Sequence, residues 1–276
     1  MAVSLALTLY VAGREKSFLV ANQDIMPHVS TGSLGPVALY FFGVVTVMAI
    51  VLFFIPLRWL KYVFKILFTL MFAWGVLIVT DLSSPSAVAY AIAVVAGLAW
   101  LFWARIWLHN ILLLAALSAA GAIFGFIFAP WAFMIFMLII AVYDLLAVRF
   151  GFMVWMADKL SETTSLPAFI FPRALKDWRL KLSTVHFNEL KEKESSEREY
   201  SILGGGDIGF PLMLTVSVFY ISDLAGALVV GVFGLVGLVS AFLIQIWWLK
   251  GKPMPALPPI AFFSLIGFLI AMYLMN

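Results

Sequence analysis

The sequence predicts an all-α polytopic membrane protein of about nine transmembrane helices, and three observations support that fold class. Hydrophobic residues make up 64% of the 276 residues and charged residues 11%, whereas soluble globular domains have about 45–50% and 25%. A transmembrane helix needs about 20 mostly apolar residues, and eight runs of that kind can be placed along the chain. The lysines and arginines lie between these runs or at their ends.

The apolar runs follow one another closely up to residue 150, and three more follow a polar stretch. The eight long runs cover residues 34–56, 62–80, 86–104, 107–128, 130–150, 200–222, 224–249 and 256–275. A shorter run at 2–12 would reach only about 17 Å, which cannot cross a hydrocarbon core of about 30 Å. It is either the inner half of a first helix whose start is missing or a helix buried by its neighbours. No Lys or Arg precedes it, which argues against a cleaved signal peptide.

The basic residues predict the orientation, because cytoplasmic loops accumulate Lys and Arg. With nine helices, 15 of the 17 basic residues lie on the even-to-odd connections, and only Arg14 and Lys16 lie on the opposite side. We therefore expect a cytoplasmic amino terminus and an outer carboxyl terminus. The chain then divides into helices one to six (1–156), a cytoplasmic hydrophilic loop (157–199) and helices seven to nine (200–276).

The loop at 157–199 ends in a charge run at 189–199, which is typical of a solvated segment rather than a domain. Its apolar island at 166–171 could dock on the membrane surface or pack on the helix ends. Both alternatives stay open at this point.

Composition excludes several classes of function. The chain has no cysteine, which excludes disulfides, thiolate metal sites and cysteine nucleophiles. His28 and His186 fall in polar stretches and His109 in a short turn between helices, so each is expected to be solvated or interfacial. The basic residues form no stripe, so nucleic acid is not an expected partner. We expect no metal and no cofactor.

Two carboxylates are predicted at bilayer depth, Asp144 and Asp207. The other acidic residues fall in the long loop, after the first helix, or in outer turns. Asp144 lies about 7–8 Å of helix before Arg149 at the inner face, and Asp207 about 10 Å after Tyr200 at the same face. Because their helices are consecutive and antiparallel, the carboxyls can meet in the cytoplasmic half of the membrane.

A pair of carboxyls at this depth indicates function, since an intramembrane charge costs at least about 2.5–3.5 kcal/mol. Two carboxyls in contact share a proton, so that one can act as base and the other as acid. An aspartic protease needs that arrangement to activate water against a peptide bond. Paired carboxylates also serve as proton relays in transporters and channels. From the aspartates alone, protease and transporter remain open.

Residues around the pair favour exposed backbone. Gly204, Gly205 and Gly206 weaken the start of the predicted helix and allow another backbone to come close. An extended substrate could add as a strand along 200–203. The segment at 253–259 contains four prolines and predicts a kinked helix start.

Taken together, these motifs resemble the presenilin and signal peptide peptidase family. Tyr143-Asp144 resembles its Tyr-Asp motif, Gly204-Gly205-Gly206-Asp207 its Gly-x-Gly-Asp motif, and Pro255-Ala256-Leu257 its Pro-Ala-Leu motif. The resemblance implies that Asp144 and Asp207 are the catalytic pair, with the Pro-Ala-Leu turn beside them. It also implies cleavage of single-span membrane proteins or remnant signal peptides in the lipid bilayer.

The resemblance covers nearly the whole chain and has departures. Gly205 stands where presenilins usually have a larger residue. The predicted inside amino terminus resembles presenilin rather than signal peptide peptidase. Both aspartates lie in one chain, so obligate partner subunits are not implied, and we expect a stand-alone protein of a microbial cell membrane. The alternative transporter is disfavoured because the glycine-rich segment has no second copy in an inverted repeat.

Overall fold

The computed structural model describes residues 1–21, 43, 57–81, 86–149, 166–184, 199–248 and 254–275. Within these residues the chain forms eight α-helices and two short strands. The helices are α1 Ala2–Ala21, α2 Leu57–Asp81, α3 Ser86–Trp103, α4 Ile106–Ile127, α5 Pro130–Arg149, α6 Gly205–Ile221, α7 Leu224–Trp247 and α8 Leu257–Met275. The strands are β1 Ala168–Pro172 and β2 Tyr200–Gly204. The run predicted at 34–56 lies outside the described residues apart from Gly43, so the count of nine and the orientation stay predictions.

Five of the described helices are long and apolar enough to cross a membrane. They contain the segments Lys61–Asp81, Ser86–Trp103, Ile106–Ile127, Leu224–Trp247 and Leu257–Leu274. Two further helices carry shorter apolar segments, Pro130–Leu146 and Gly205–Ile221. The predicted all-α fold class of an integral membrane protein is therefore confirmed.

Helix α1 is longer than the run predicted at 2–12. It has 20 residues, which at about 1.5 Å per residue reach about 30 Å. The apolar run ends at residue 12, but the helix continues through polar residues from position 14 onward. These polar residues have partners in the fold. Lys16 Nζ donates to Phe219 O at 2.9 Å and to Ser222 O at 3.4 Å, at the end of α6. The predicted short first helix is therefore wrong in extent.

Helices α1, α4 and α6 pack closely because small residues line their contacts. A side chain carbon added to Gly125 of α4 would stand 2.6 Å from Val216 Cβ of α6. One added to Gly121 would stand 2.8 Å from Thr8 Cγ2 of α1. Small residues let membrane helices approach and gain van der Waals contact. The helix that carries Asp207 is thus held tightly by its neighbours.

Helix α8 lies against both α7 and α5. A carbon added to Gly237 of α7 would stand 2.7 Å from Ile260 Cα of α8. On the other side, the rings of Trp131 in α5 and Phe268 in α8 meet edge to face, with centroids 4.6 Å apart. This packing brings the start of α8 beside the carboxyl-terminal half of α5.

The strands form a two-stranded antiparallel sheet within the predicted loop and helix seven. Phe169 pairs with Leu203, and Ile170 with Ile202. The helix predicted at 200–222 therefore begins only at Gly205, because residues 200–204 pair with β1. Ala168, Phe169 and Ile170 are buried. Of the two alternatives for the apolar island, packing against the helices is the one observed.

Candidate active site

Asp207 lies in the first turn of α6, where local backbone orients its carboxyl. Gly204 is the N-cap residue of α6, so Asp207 occupies the third helical position. The Gly204 N–H donates to the Asp207 carboxyl, which is the backward half of a capping box. The positive end of the helix dipole also favours a carboxylate here. The start of α6 therefore offers the Asp207 carboxyl a backbone donor and a favourable helix dipole.

Asp144 lies on α5 and is partly exposed. Its carboxyl accepts a hydrogen bond from the Leu257 N–H at the start of α8. The next two residues of α8, Pro258 and Pro259, have no N–H to donate. In this proline-rich helix start, Leu257 is the residue whose N–H binds Asp144.

The two carboxyls lie close enough for their charges to interact. They come from facing helices, α5 and α6, and each takes one backbone N–H from a different segment. Within the described residues no group of three or more His, Cys, Asp or Glu could hold a metal ion. The chemistry that this arrangement can perform is proton transfer between two carboxyls and a molecule bound between them.

Gly205 is the glycine of the motif whose missing side chain matters most for packing. Its N–H donates to Pro167 O at 2.7 Å. A carbon added to Gly205 would stand 2.8 Å from that same oxygen, whereas one added to Gly206 would meet only Phe210 Cε2 at 3.5 Å. Gly206 is exposed and Gly205 is buried. The close backbone approach predicted for the glycines therefore occurs at Gly205.

Strand β2 has an edge that no strand covers in the described part of the chain. The Ile170 N–H and C=O bond the side chain of Asn110, so they face away from β2. Because backbone groups alternate in direction across an antiparallel pair, the N–H and C=O of Ile202 face the opposite, uncovered edge. The Gly204 N–H faces that edge too and binds Asp207 there. An uncovered strand edge therefore ends at the Asp207 carboxyl.

The remaining predicted motif residues differ in burial. Tyr143 is 54% exposed, whereas Leu257 is only 3% exposed. Pro255 is buried and Ala256 is partly buried. Tyr143 has no described contact that ties it to the carboxyls.

The prediction that His109 is solvated or interfacial is wrong. It lies on α4, is fully buried, and its Nε2 lies 3.0 Å from Ala168 O. Sequence reasoning missed it together with Asn110, since their partners on β1 are about 60 residues away. The available signal was two adjacent polar residues inside a run predicted to span the membrane.

The chain is similar to a known protein family and to solved structures. The family model described as "Signal-peptide peptidase, presenilin aspartyl protease" matches residues 40–276. Two solved structures of a presenilin family intramembrane aspartate protease also match. The C222 crystal form is 18% identical, with a TM-score of 0.56 and coverage of 99% of this chain and 96% of that one. The P2 form is 19% identical, with a TM-score of 0.59 and coverage of 99% and 98%. At such identity the likeness shows the fold alone. No curated protein matches the chain.

Proposed function

Because the chain belongs to the signal-peptide peptidase, presenilin aspartyl protease family, we propose that it hydrolyses peptide bonds inside the membrane with Asp144 and Asp207. The observation that carries this proposal is that the Asp207 carboxyl lies at the uncovered edge of β2, within reach of the charge of Asp144. The proposed substrates are single-span membrane helices or remnant signal peptides. No cofactor is proposed.

In the proposed reaction the pair holds one proton and binds a water molecule. The ionised carboxyl takes a proton from the water as its oxygen attacks the peptide carbonyl carbon. The other carboxyl donates its proton to the carbonyl oxygen, which gives a tetrahedral diol. When the C–N bond breaks, the protonated carboxyl gives its proton to the leaving nitrogen and the ionised carboxyl takes a proton from one diol hydroxyl, so the products are a carboxylic acid and an amine. The pair then again holds one proton.

The two backbone hydrogen bonds would hold each carboxyl in its own position. Asp144 depends on the Leu257 N–H and Asp207 on the Gly204 N–H. Since these donors belong to different elements, neither carboxyl can turn away without losing a hydrogen bond. The pair is then ready before substrate arrives, which lowers the cost of reaching the transition state.

The substrate is proposed to lie as an added strand along β2. A helical substrate hides its peptide bonds in its own hydrogen bonds, so it must unwind before cleavage. Unwound backbone at membrane depth needs new partners, and Ile202 offers an N–H and a C=O on the uncovered edge. Strand addition at this edge would deliver a peptide bond to Asp207.

We also propose a membrane topology for the chain. Residues 1–156 and 200–276 would be the membrane-spanning parts, and 157–199 a cytoplasmic loop that contributes β1 to the site. The amino terminus would be cytoplasmic, and the chain would act in a microbial cell membrane without obligate partner subunits.

The test is a cleavage assay with purified protein and a labelled single-span substrate in detergent. Mass spectrometry in ¹⁸O water should show two fragments, with one labelled oxygen in the new carboxyl terminus. Proton or ion flux through reconstituted vesicles without any cleavage would instead favour the transporter.

A further inference from the structure

Two adjacent polar side chains, His109 and Asn110, are buried in the first turn of α4. Their exposed fractions are 0% and 7%. Helix α4 otherwise consists mainly of apolar and small residues. Polar groups are costly to bury unless they form hydrogen bonds. The hydrogen-bond partners of these two side chains therefore indicate why they are buried.

Both side chains bind the backbone of β1. The Asn110 Nδ2 donates to Ile170 O at 2.7 Å, and the Ile170 N–H donates to Asn110 Oδ1 at 3.0 Å. The His109 Nε2 lies 3.0 Å from Ala168 O. Since a carbonyl only accepts, Nε2 carries the hydrogen. The two side chains thus occupy the edge of β1 that a third strand would otherwise occupy.

The same strand is tied to the start of α6 on its other side. Pro167, which precedes β1, accepts the Gly205 N–H at 2.7 Å, and Asp207 follows two residues later. Helix α4 is itself fixed at its start, because the Ile106 N–H donates to Leu180 O at 3.2 Å and the Leu182 N–H to Ala104 O at 2.9 Å. A continuous series of hydrogen bonds therefore joins α4, β1 and the helix start that carries Asp207, and those from His109 and Asn110 to β1 are buried.

We propose that His109 and Asn110 are positioning residues that hold β1, and through Pro167 and Gly205 place the Asp207 carboxyl. The inference rests on the proposed function for its catalytic meaning. It adds two residues that act through the sheet and touch neither the substrate nor the reacting atoms. The uncovered edge of β2 would keep its register for the same reason.

Two substitutions of His109 can distinguish the effect of its hydrogen bond from the effect of its aromatic packing. Its ring contacts the rings of Phe68, Phe72 and Trp100, with centroids 6.5, 5.5 and 6.3 Å away. Phenylalanine would keep an aromatic ring among these neighbours and lose the donor to Ala168. Glutamine would lose the ring and keep an N–H donor at similar reach.

The experiment compares His109→Phe, His109→Gln and Asn110→Leu with the parent. Phe72→Leu is the control, because it disturbs the same aromatic cluster without removing a hydrogen bond to β1. For each protein, kcat and KM on a labelled single-span substrate and the affinity of a hydroxyl-bearing transition-state mimic are measured below the melting temperature.

For His109→Phe we expect kcat to fall about tenfold or more and the mimic to bind less tightly, because small displacements of a reacting group are costly. His109→Gln should restore most of the rate. Phe72→Leu should lower the melting temperature with little change in kcat. The inference is overturned if His109→Phe cleaves like the parent, if it loses no more rate than Phe72→Leu, or if His109→Gln fails to rescue.

Hydrogen exchange gives a second readout that needs no substrate. In His109→Phe and Asn110→Leu, the amides of 168–172 and 200–207 should exchange faster than in the parent, while those of α7 should not. Unchanged exchange in both segments would overturn the inference even if the chain is not a protease. Conversely, a parent that cleaves, an inactive Asp207→Asn and a normal His109→Phe would leave the proposed function standing and remove this inference.

Discussion

Replacing Gly205 by alanine would place a methyl group where α6 begins against the backbone before β1. The added carbon would stand 2.8 Å from Pro167 O and 3.7 Å from Leu117 Cδ1. The first distance is well inside ordinary van der Waals contact. The Pro167 carbonyl and the helix start must therefore separate, and the 2.7 Å hydrogen bond between them must lengthen or break.

The expected loss of stability in Gly205→Ala combines the cost of overpacking with the cost of the lost hydrogen bond. Overpacking a tight contact costs about 1–3 kcal/mol, and losing a hydrogen bond costs about 0.5–1.5 kcal/mol. Alanine recovers up to about 1 kcal/mol through its preference for helix. The net destabilisation is then about 0.5–4.5 kcal/mol. Because Asp207 lies two residues away, a displacement of about 0.5–1 Å there should slow cleavage about 10- to 100-fold.

The matched control is Gly206→Ala. Its added carbon would meet Phe210 Cε2 at 3.5 Å, an ordinary contact, at an exposed position. We expect its free energy of unfolding to be unchanged or raised by up to about 1 kcal/mol. The free energies are measured by denaturation in mixed detergent micelles, and the cleavage rates on the same preparations. A Gly205→Ala protein with the stability and cleavage rate of the parent would refute the reasoning.

Three further predictions concern the surroundings of the pair. Leu257→Pro removes the N–H that binds Asp144, whereas Leu257→Ala keeps it and removes the buried side chain. At matched stability the proline variant should therefore cleave more slowly than the alanine variant, and equal rates would count against the contact. Two carboxyls that share a proton should give a bell-shaped dependence of rate on pH, so a flat profile in one detergent, with stability checked, would contradict the coupling. Lys16→Met removes the bonds to the end of α6 and should lower the free energy of unfolding by about 1 kcal/mol. Its rate per folded molecule should stay the same, and a lost rate would show that this helix end influences the site.

The membrane-spanning helices could be predicted from sequence because each depends on a local property, a run of about 20 apolar residues. The run predicted at 107–128, for example, is observed as Ile106–Ile127. The first helix could not be bounded in this way. Lys16 interrupts the apolar pattern, and the carbonyl groups that accept its hydrogen bonds are about 200 residues away, where no local pattern identifies them.

The candidate site was predictable in its residue types and less so in its geometry. Asp144 and Asp207 stand out as carboxylates at matched depth, and their interaction follows from antiparallel helices. The strand at 200–204 exists because it pairs with 168–172, a partner that no local pattern identifies. The roles of Gly205 and His109 likewise depend on Pro167 and Ala168, which the sheet brings to them.

The most direct test of the central claim is cleavage of a labelled single-span substrate by the parent, Asp144→Asn and Asp207→Asn. Both variants should fold, because the amide has nearly the size of the carboxyl and keeps an oxygen that can accept the backbone N–H. The melting temperature and incorporation into lipid nanodiscs check that each variant remains folded. The account predicts that the parent yields two fragments and that each variant yields none. Substantial cleavage by either folded variant would contradict the claim that the two carboxyls act as a catalytic pair.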